Sequence, residues 1–260
     1  MPSLTLKCTY RQNELVMSPT ELLETYFYGI KITDNDGKAM SDSMLRFYIQ
    51  SATEEVEKAL DLKILPQVIK EDQDFWLQDW KAWGYIRFTY PVKKAFKLDG
   101  FINDVIQITY PTEWLSARAT TDGNLYYRNM YLVPTNGAAT TNSVVFSGIT
   151  PHLGFFGNKQ IPNYWKGTYC TGFDKTPKDL QNYIGKLAAI NVFHILGDII
   201  IGAGIASQSI GIDGLSQSIS TTSSATNAGY GARITGYLAD MKRQWPAIKA
   251  FYKGFTMTAL

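Results

Sequence analysis

Only two histidines are present, and their neighbours decide what imidazole chemistry they can support. His194 lies three residues after Asn191 and four before Asp198, so these side chains share one face of a helix. Such a face can hold a polar network or seat a metal ion. For a histidine inside an apolar helix, a hydrogen-bonded core position is the commoner outcome. His152 lies in "TPHLGFFGN", a loop. A catalytic triad needs a nucleophile beside the histidine and carboxylate, and none completes this pair. Cys170 has no histidine near it in sequence, and Cys8 stands close to the N-terminus.

Other groups point the same way. Cys8 and Cys170 lie far apart and form neither a disulfide framework nor a zinc spacing. A reducing, cytosolic place of synthesis is expected, and "MPSLTLKCTYRQNELV" lacks the basic-then-apolar pattern of a secretion signal. The glycine spacing around "IGIDG" lacks the strand-before, helix-after context and the lysine of a P-loop, and "GAGIAS" at Gly202 follows a helix rather than a strand, which makes a dinucleotide site a weak reading. Asp72 and Asp74 read as solvated acids in a polar turn. Phe75, Trp76, Trp80 and Trp83 offer rings for stacking on sugars, but the tryptophan spacing is also helical and suits an apolar contact face. No catalytic residue, cofactor or metal site is expected.

The basic residues form short groups: Lys93, Lys94 and Lys97, then Lys242 and Arg243. A net charge of +2 is too small to argue for nucleic acid by itself. In a ring of many copies, one or two lysines per copy would still sum to a charged lumen. Contacts of that kind would be to phosphate and blind to sequence.

Several elements must position these groups. "SPTELLETYFYGI" predicts a first helix, capped by Ser18 with Pro19 in its first turn and Glu21 at the capping-box position. "TDNDGK" reads as a turn. "SDSMLRFYIQSATEEVEKALDL" predicts a second helix with a stripe of Leu45, Tyr48, Ala52, Val56 and Ala59. From about Gln67 to Phe173 the period shortens to two. Strands are expected at "YIRFTYP", "VIQITYP", "NLYYRNMYLVP", "SVVFSG" and "YWKGTYCTG", with Asp99-Gly100 and Asp122-Gly123 as turn dipeptides.

Helix returns at "KTPKDLQNYIGKLAAINVFHILGDIII", capped by Thr176 and opened by Pro177. Its apolar residues go nearly all round beyond Leu187, which marks burial on several sides. Leu187–Ala206 is long enough for a membrane span, but Asp198 within it costs about 2.5 to 3.5 kcal/mol on insertion scales, so a buried core helix is expected. A final helix carries Ile234, Tyr237, Leu238, Met241 and Trp245 along one side, and Pro246 should kink or end it.

The expected fold class is α+β. Residues 1–65 and 174–260 form a helical bundle, with an arm at about 206–230. Residues 66–173 form a strand-rich antiparallel insertion. Hydrophobic content of 45% against 18% charged residues is enough for a packed core.

The order of segments resembles a known family. An acidic amphipathic helix, "MLRFYIQSATEEVEKALDL", leads into strands; then come "TYPVKKAFKLDG", "YYRNMYLVP" and "YWKGTYCTGFDKTPKDLQNYIGKLAAINVF". The last is a strand ending in Tyr-x-x-Gly, followed by a Pro-opened helix rich in Leu and Ala. This pattern, from roughly Met40 to Arg233, looks like the head–tail connector (adaptor) proteins of tailed bacteriophages. The resemblance implies a non-enzymatic virion protein of the neck. It would assemble as a ring, usually a dodecamer, beneath the portal protein, extend the DNA channel and dock the tail or the next neck protein. Its C-terminal segment would reach onto the portal, a role that falls here to Phe251, Tyr252, Phe255 and Met257. Lys93, Lys94 and Lys97 are the candidates for the lumen and the packaged DNA. The chain departs from small family members in its longer strand block and its Ser/Thr-rich arm. A carbohydrate- or receptor-binding module of a phage tail is the alternative that the aromatic strand block leaves open.

The arm itself, "SIGIDGLSQSI", sets Asp213-Gly214 between two segments containing Ile210, Ile212, Leu215 and Ile219. That pattern reads as a hairpin with one weakly apolar face, while the Ser/Thr content suits an unstructured linker. A two-stranded hairpin is marginal alone in water. Against a sister copy or the portal it would gain strands or bury its isoleucines.

Overall fold

The structure is a computed structural model and describes residues 8, 14–34, 36–78, 85–119, 125–133, 160–201, 207–212, 215–220 and 230–253. The protein is α+β. It divides into two compact units, one of Met1–Gln12 with Asp61–Asp174 and one of Asn13–Leu60 with Lys175–Leu260.

The second unit holds four described α-helices. α1 (Pro19–Tyr26) starts as its sequence demands: the Ser18 hydroxyl accepts from the Glu21 N–H at 3.0 Å. The Glu21 carboxylate does not turn back to close a capping box; it accepts from Gln181 Nε2 at 2.9 Å. In the turn after α1, the Asp34 carboxylate accepts from the N–H groups of Asp36 and Lys38.

α2 (Asp42–Leu60) buries Leu45, Ile49, Ala52, Val56 and Leu60. This corrects the expected stripe: Ile49 and Leu60 take the inward places, Tyr48 is half-buried and Ala59 is exposed. Steps of four, three, four and four keep the aliphatic residues on one line, and Tyr48 lies one position off it. Thr53, also buried, donates to the Ile49 carbonyl at 2.7 Å.

α3 (Lys178–Ile201) packs against α1, α2 and the last helix, α4 (Gly231–Lys253). Its buried set runs round the helix: Leu180, Ile184, Ala188, Ala189, Ile190, Val192, Phe193 and Leu196. Gly185 lets the Tyr26 ring lie directly on the α3 backbone. Tyr26 donates to Asn182, and its own carbonyl accepts from Tyr237 of α4 at 3.1 Å. One aromatic residue thus joins three helices. Lys186 of α3 is nearly buried and pairs with Asp240 of α4 at 3.2 Å. α4 continues to Lys253 through Pro246, so of the expected kink or end, the end does not occur there. Proline removes one donor from the ladder, and this helix continues past it. Ile234, Met241 and Ile248 are its buried seam, while Leu238 is exposed.

The first unit holds antiparallel sheets. Its strands are β1 (Gln67–Trp76), β2 (Tyr85–Arg87), β3 (Lys94–Ile102), β4 (Val105–Thr109), β5 (Leu115–Ala119), β6 (Tyr126–Leu132) and β7 (Gln160–Thr171). One sheet has the order β1-β7-β3-β4, the other β2-β6-β5. Both contribute to one core, in which Phe75, Phe88, Leu98, Met130, Tyr164, Trp165 and Tyr169 are buried. Asp99-Gly100 is not a turn. Both residues lie inside β3, and the β3–β4 turn is Asn103-Asp104, each at positive φ. Two successive residues of that kind make the primed turn that suits a tight hairpin. Asp122-Gly123 and "SVVFSG" lie outside the described residues.

β8 (Ser207–Ile212) and β9 (Leu215–Ser220) pair antiparallel, from Ser207 opposite Ser220 to Ile212 opposite Leu215.

Candidate functional site

The groups capable of chemistry do not converge among the described residues. Among the described residues no cluster of His, Cys, Asp and Glu is suited to hold a metal ion. His194 is half-buried on α3, and the Asp198 side chain and His152 lie outside the described residues. Asp72 and Asp74 sit in β1 and not in a turn. Asp74 accepts from Asn163 N–H at 2.9 Å and Gln160 Nε2 at 3.0 Å, so it holds β7 in place. Trp76 ends β1, with Phe75 beside it in the core, and the chain turns helical directly after it at Leu77 and Gln78; Trp80 and Trp83 lie outside the described residues. The tyrosines with perturbed hydroxyls are all shifted upward. Tyr26 is pushed up to about 12 by burial, then by Tyr237 and Glu21. Burial raises Tyr169, and its bond to the Glu71 carboxylate at 2.7 Å raises it further. None of these hydroxyls is activated as a nucleophile.

Cys8 and Cys170 form a disulfide with Cα atoms 6.0 Å apart. This overturns the reading of two unrelated thiols. A separation of 162 residues carries no spacing signal, and only the fold brings Cys8 beside Cys170 of β7. No described helix is long and apolar enough to cross a membrane.

The three lysines proposed for a lumen part company. Lys93 is buried and ion-paired with Asp174, so its charge is directed within the unit. Lys97 is half-exposed and pairs with Asp99 at 2.6 Å. Lys94 is exposed and lies over the Phe96 ring at 5.7 Å. Near the C-terminus, Phe251 is 52% exposed. Tyr252 is half-buried and donates to the Asp179 carboxylate at 2.8 Å, tying the end of α4 to the start of α3. Phe255 and Met257 lie outside the described residues. Of the arm residues, Ile210 stands opposite Gln217, Ile212 opposite Leu215, and Ile219 opposite Gln208.

Reading the sequence alone missed an exposed apolar edge. Ile106 and Ile108 were placed in a strand, and the structure leaves Val105 60% and Ile106 52% exposed on β4, at the margin of its sheet. The signal was present in "VIQIT", which has no charge.

No family model matches this chain, and no curated protein does. Among solved structures it is similar to a chain of "Virion of native gene transfer agent (GTA) particle", with 14% identity, a TM-score of 0.45, and coverage of 70% of this chain and 79% of that one. It is also similar to a chain of "Neck of empty GTA particle computed with C6 symmetry", with 14% identity, a TM-score of 0.42 and the same coverages. Overlaps of that size carry no argument about what this chain does.

Proposed function

We propose that this chain is a structural protein of a phage virion neck. It acts as a head-to-tail adaptor, forming a ring beneath the portal protein that extends the DNA channel and docks the tail or the next neck protein. It is not an enzyme. The segment order from Met40 to Arg233 suggests this reading, and the observation that most supports it is the β8–β9 ribbon. Among the described residues these strands pair only with each other, and a lone two-stranded ribbon is marginal in water. A chain that keeps such a ribbon is built to complete it on another molecule.

On this reading α1 to α4 form the adaptor's helical bundle, and a dodecamer is the expected ring. Phe251, with the residues after it, reaches onto the portal. Lys94 is the lysine left to meet DNA, through phosphate contacts that repeat around the ring. Negative-stain imaging and mass photometry of the purified protein, alone and with its portal, test the proposal. The expected result is a closed ring seated on the portal. A strict monomer that leaves the portal bare overturns it.

A further inference from the structure

The four-stranded sheet ends in two unlike edges. β1, on one side, carries Lys70, Glu71, Asp72 and Asp74. Charge on an edge strand is a usual guard against pairing with another chain. β4, on the other side, reads VIQIT and carries none. Asp104, the nearest charge in sequence, sits in the turn and faces Lys166 at 3.6 Å, while Thr109 of β4 donates to the Asp99 carboxylate on the inner neighbour β3 at 2.8 Å. Among the described residues no strand pairs with the outer edge of β4. Its register also slips: Ile108 faces Gly100 while Ile106 faces Phe101, which leaves Gln107 as a bulge. A bulged residue is left unmatched by its partner strand, and Gln107 is exposed there; the flanking Val105, Ile106, Ile108 and Thr109 remain in register with β3.

The same chain holds a second unfinished element. β8 and β9 run in unbroken register with each other, have no third strand among the described residues, and contain no charge. Each is six residues long and β4 is five, so either strand of the ribbon matches the length of the open edge. Strand addition draws its affinity from main-chain hydrogen bonds, which uncharged Ser- and Gln-rich strands make without like-charge conflict.

We infer that the β8–β9 ribbon of one copy adds to β4 of the next copy. The acceptor sheet would gain two strands, and the donor ribbon would gain the sheet it lacks. Among the described residues each chain offers one uncharged sheet edge and one two-stranded ribbon, which is the stoichiometry of a head-to-tail interface, and such an interface closes into a ring when its rotation allows. The inference rests on the ring reading above and adds which surfaces join the copies.

Photo-crosslinking and one substitution test it on the full chain. p-Benzoylphenylalanine replaces Gln107 in an equal mixture of nitrogen-15-labelled and unlabelled protein, assembled as the ring with its portal. The expected crosslinks run from position 107 to Ser207–Ile212 or Leu215–Ser220, and include peptide pairs of mixed label. Ile106→Lys puts a charge on the open edge at a half-exposed position. It should weaken ring assembly about tenfold or more and leave the unfolding midpoint of the free chain unchanged. Crosslinks of single label only, or crosslinks to the portal, overturn the inference, because then the own chain or the portal covers β4. So does an I106K ring as stable as the parent ring. In those cases the ring itself survives. A parent chain that stays monomeric with and without portal brings down the ring reading and this inference together.

Discussion

Cutting the Cys8–Cys170 link by Cys8→Ser should reveal how much of the strand unit depends on it. The bond closes a loop across a separation of 162 residues. In the chain-entropy account, a loop of that length removes about 17 cal/mol/K from the unfolded chain, or about 5 kcal/mol at room temperature. Disulfides typically contribute about 2 to 4 kcal/mol, less than the full loop entropy, because unfolded chains keep some structure. Cys8 is the better position to change. It is only partly buried, whereas Cys170 is buried in β7 between β1 and β3 and would leave a cavity if truncated. The unfolding midpoint of the strand unit should fall by roughly 10 °C or more, and a thiol reductant should produce the same shift in the parent protein and none in the variant. Intact mass after alkylation under denaturing, non-reducing conditions reads the bond directly. Two alkylated cysteines in protein purified under air, or a midpoint unmoved by C8S, would refute the reasoning.

Local chemistry was legible and long-range placement was not. Ser18, Pro19 and the start of α1 follow from hydrogen bonds within four residues of chain. The primed turn was misplaced for a clear reason. Asp99-Gly100 has turn composition, but Gly100 serves a different need, since a Cβ there would press on the Tyr164 ring and on Ile108. Glycine in a strand often marks such a close approach, and only the packing tells that use from a turn. Asn103-Asp104, four residues further on, accepts positive φ and takes the turn. Lys93 shows the same limit among the candidate site residues. Next to Lys94 it reads as one more surface charge, yet the sheet turns it inward to Asp174. The unguarded edge is subtler still. "VIQIT" is visibly free of charge, but that matters only once the strand order puts β4 outermost and β3 inside. An edge is a property of the sheet, so no window of residues contains it.

Two further perturbations probe the helical unit. Gly185→Ala sets a methyl against the Tyr26 ring; overpacking costs about 1 to 3 kcal/mol, and better helix propensity returns up to about 1. A net loss of roughly 1 to 2 kcal/mol in denaturant unfolding is expected, and a gain would mean that the ring has room to move. Alkali should act through the buried tyrosines. Tyr26 in this unit, and Tyr110 and Tyr169 in the strand unit, have hydroxyls raised above the ordinary value chiefly by burial. Below about pH 10 these groups are protonated in both folded and unfolded chains, and their contribution to stability is fully present. Above it the unfolded chain releases protons that the fold still holds, so stability falls by up to about 1.4 kcal/mol per pH unit for each tyrosine. For Tyr26 that loss runs until its folded value of about 12 is passed. Unfolding midpoints between pH 9 and 12, read beside tyrosinate absorbance, should therefore drop from pH 10 upward. Tyr26→Phe should lessen the slope in the helical unit, because a phenylalanine ring fills the same place on α3 and has no proton to lose; a slope that Y26F leaves unaltered would place the alkaline sensitivity elsewhere.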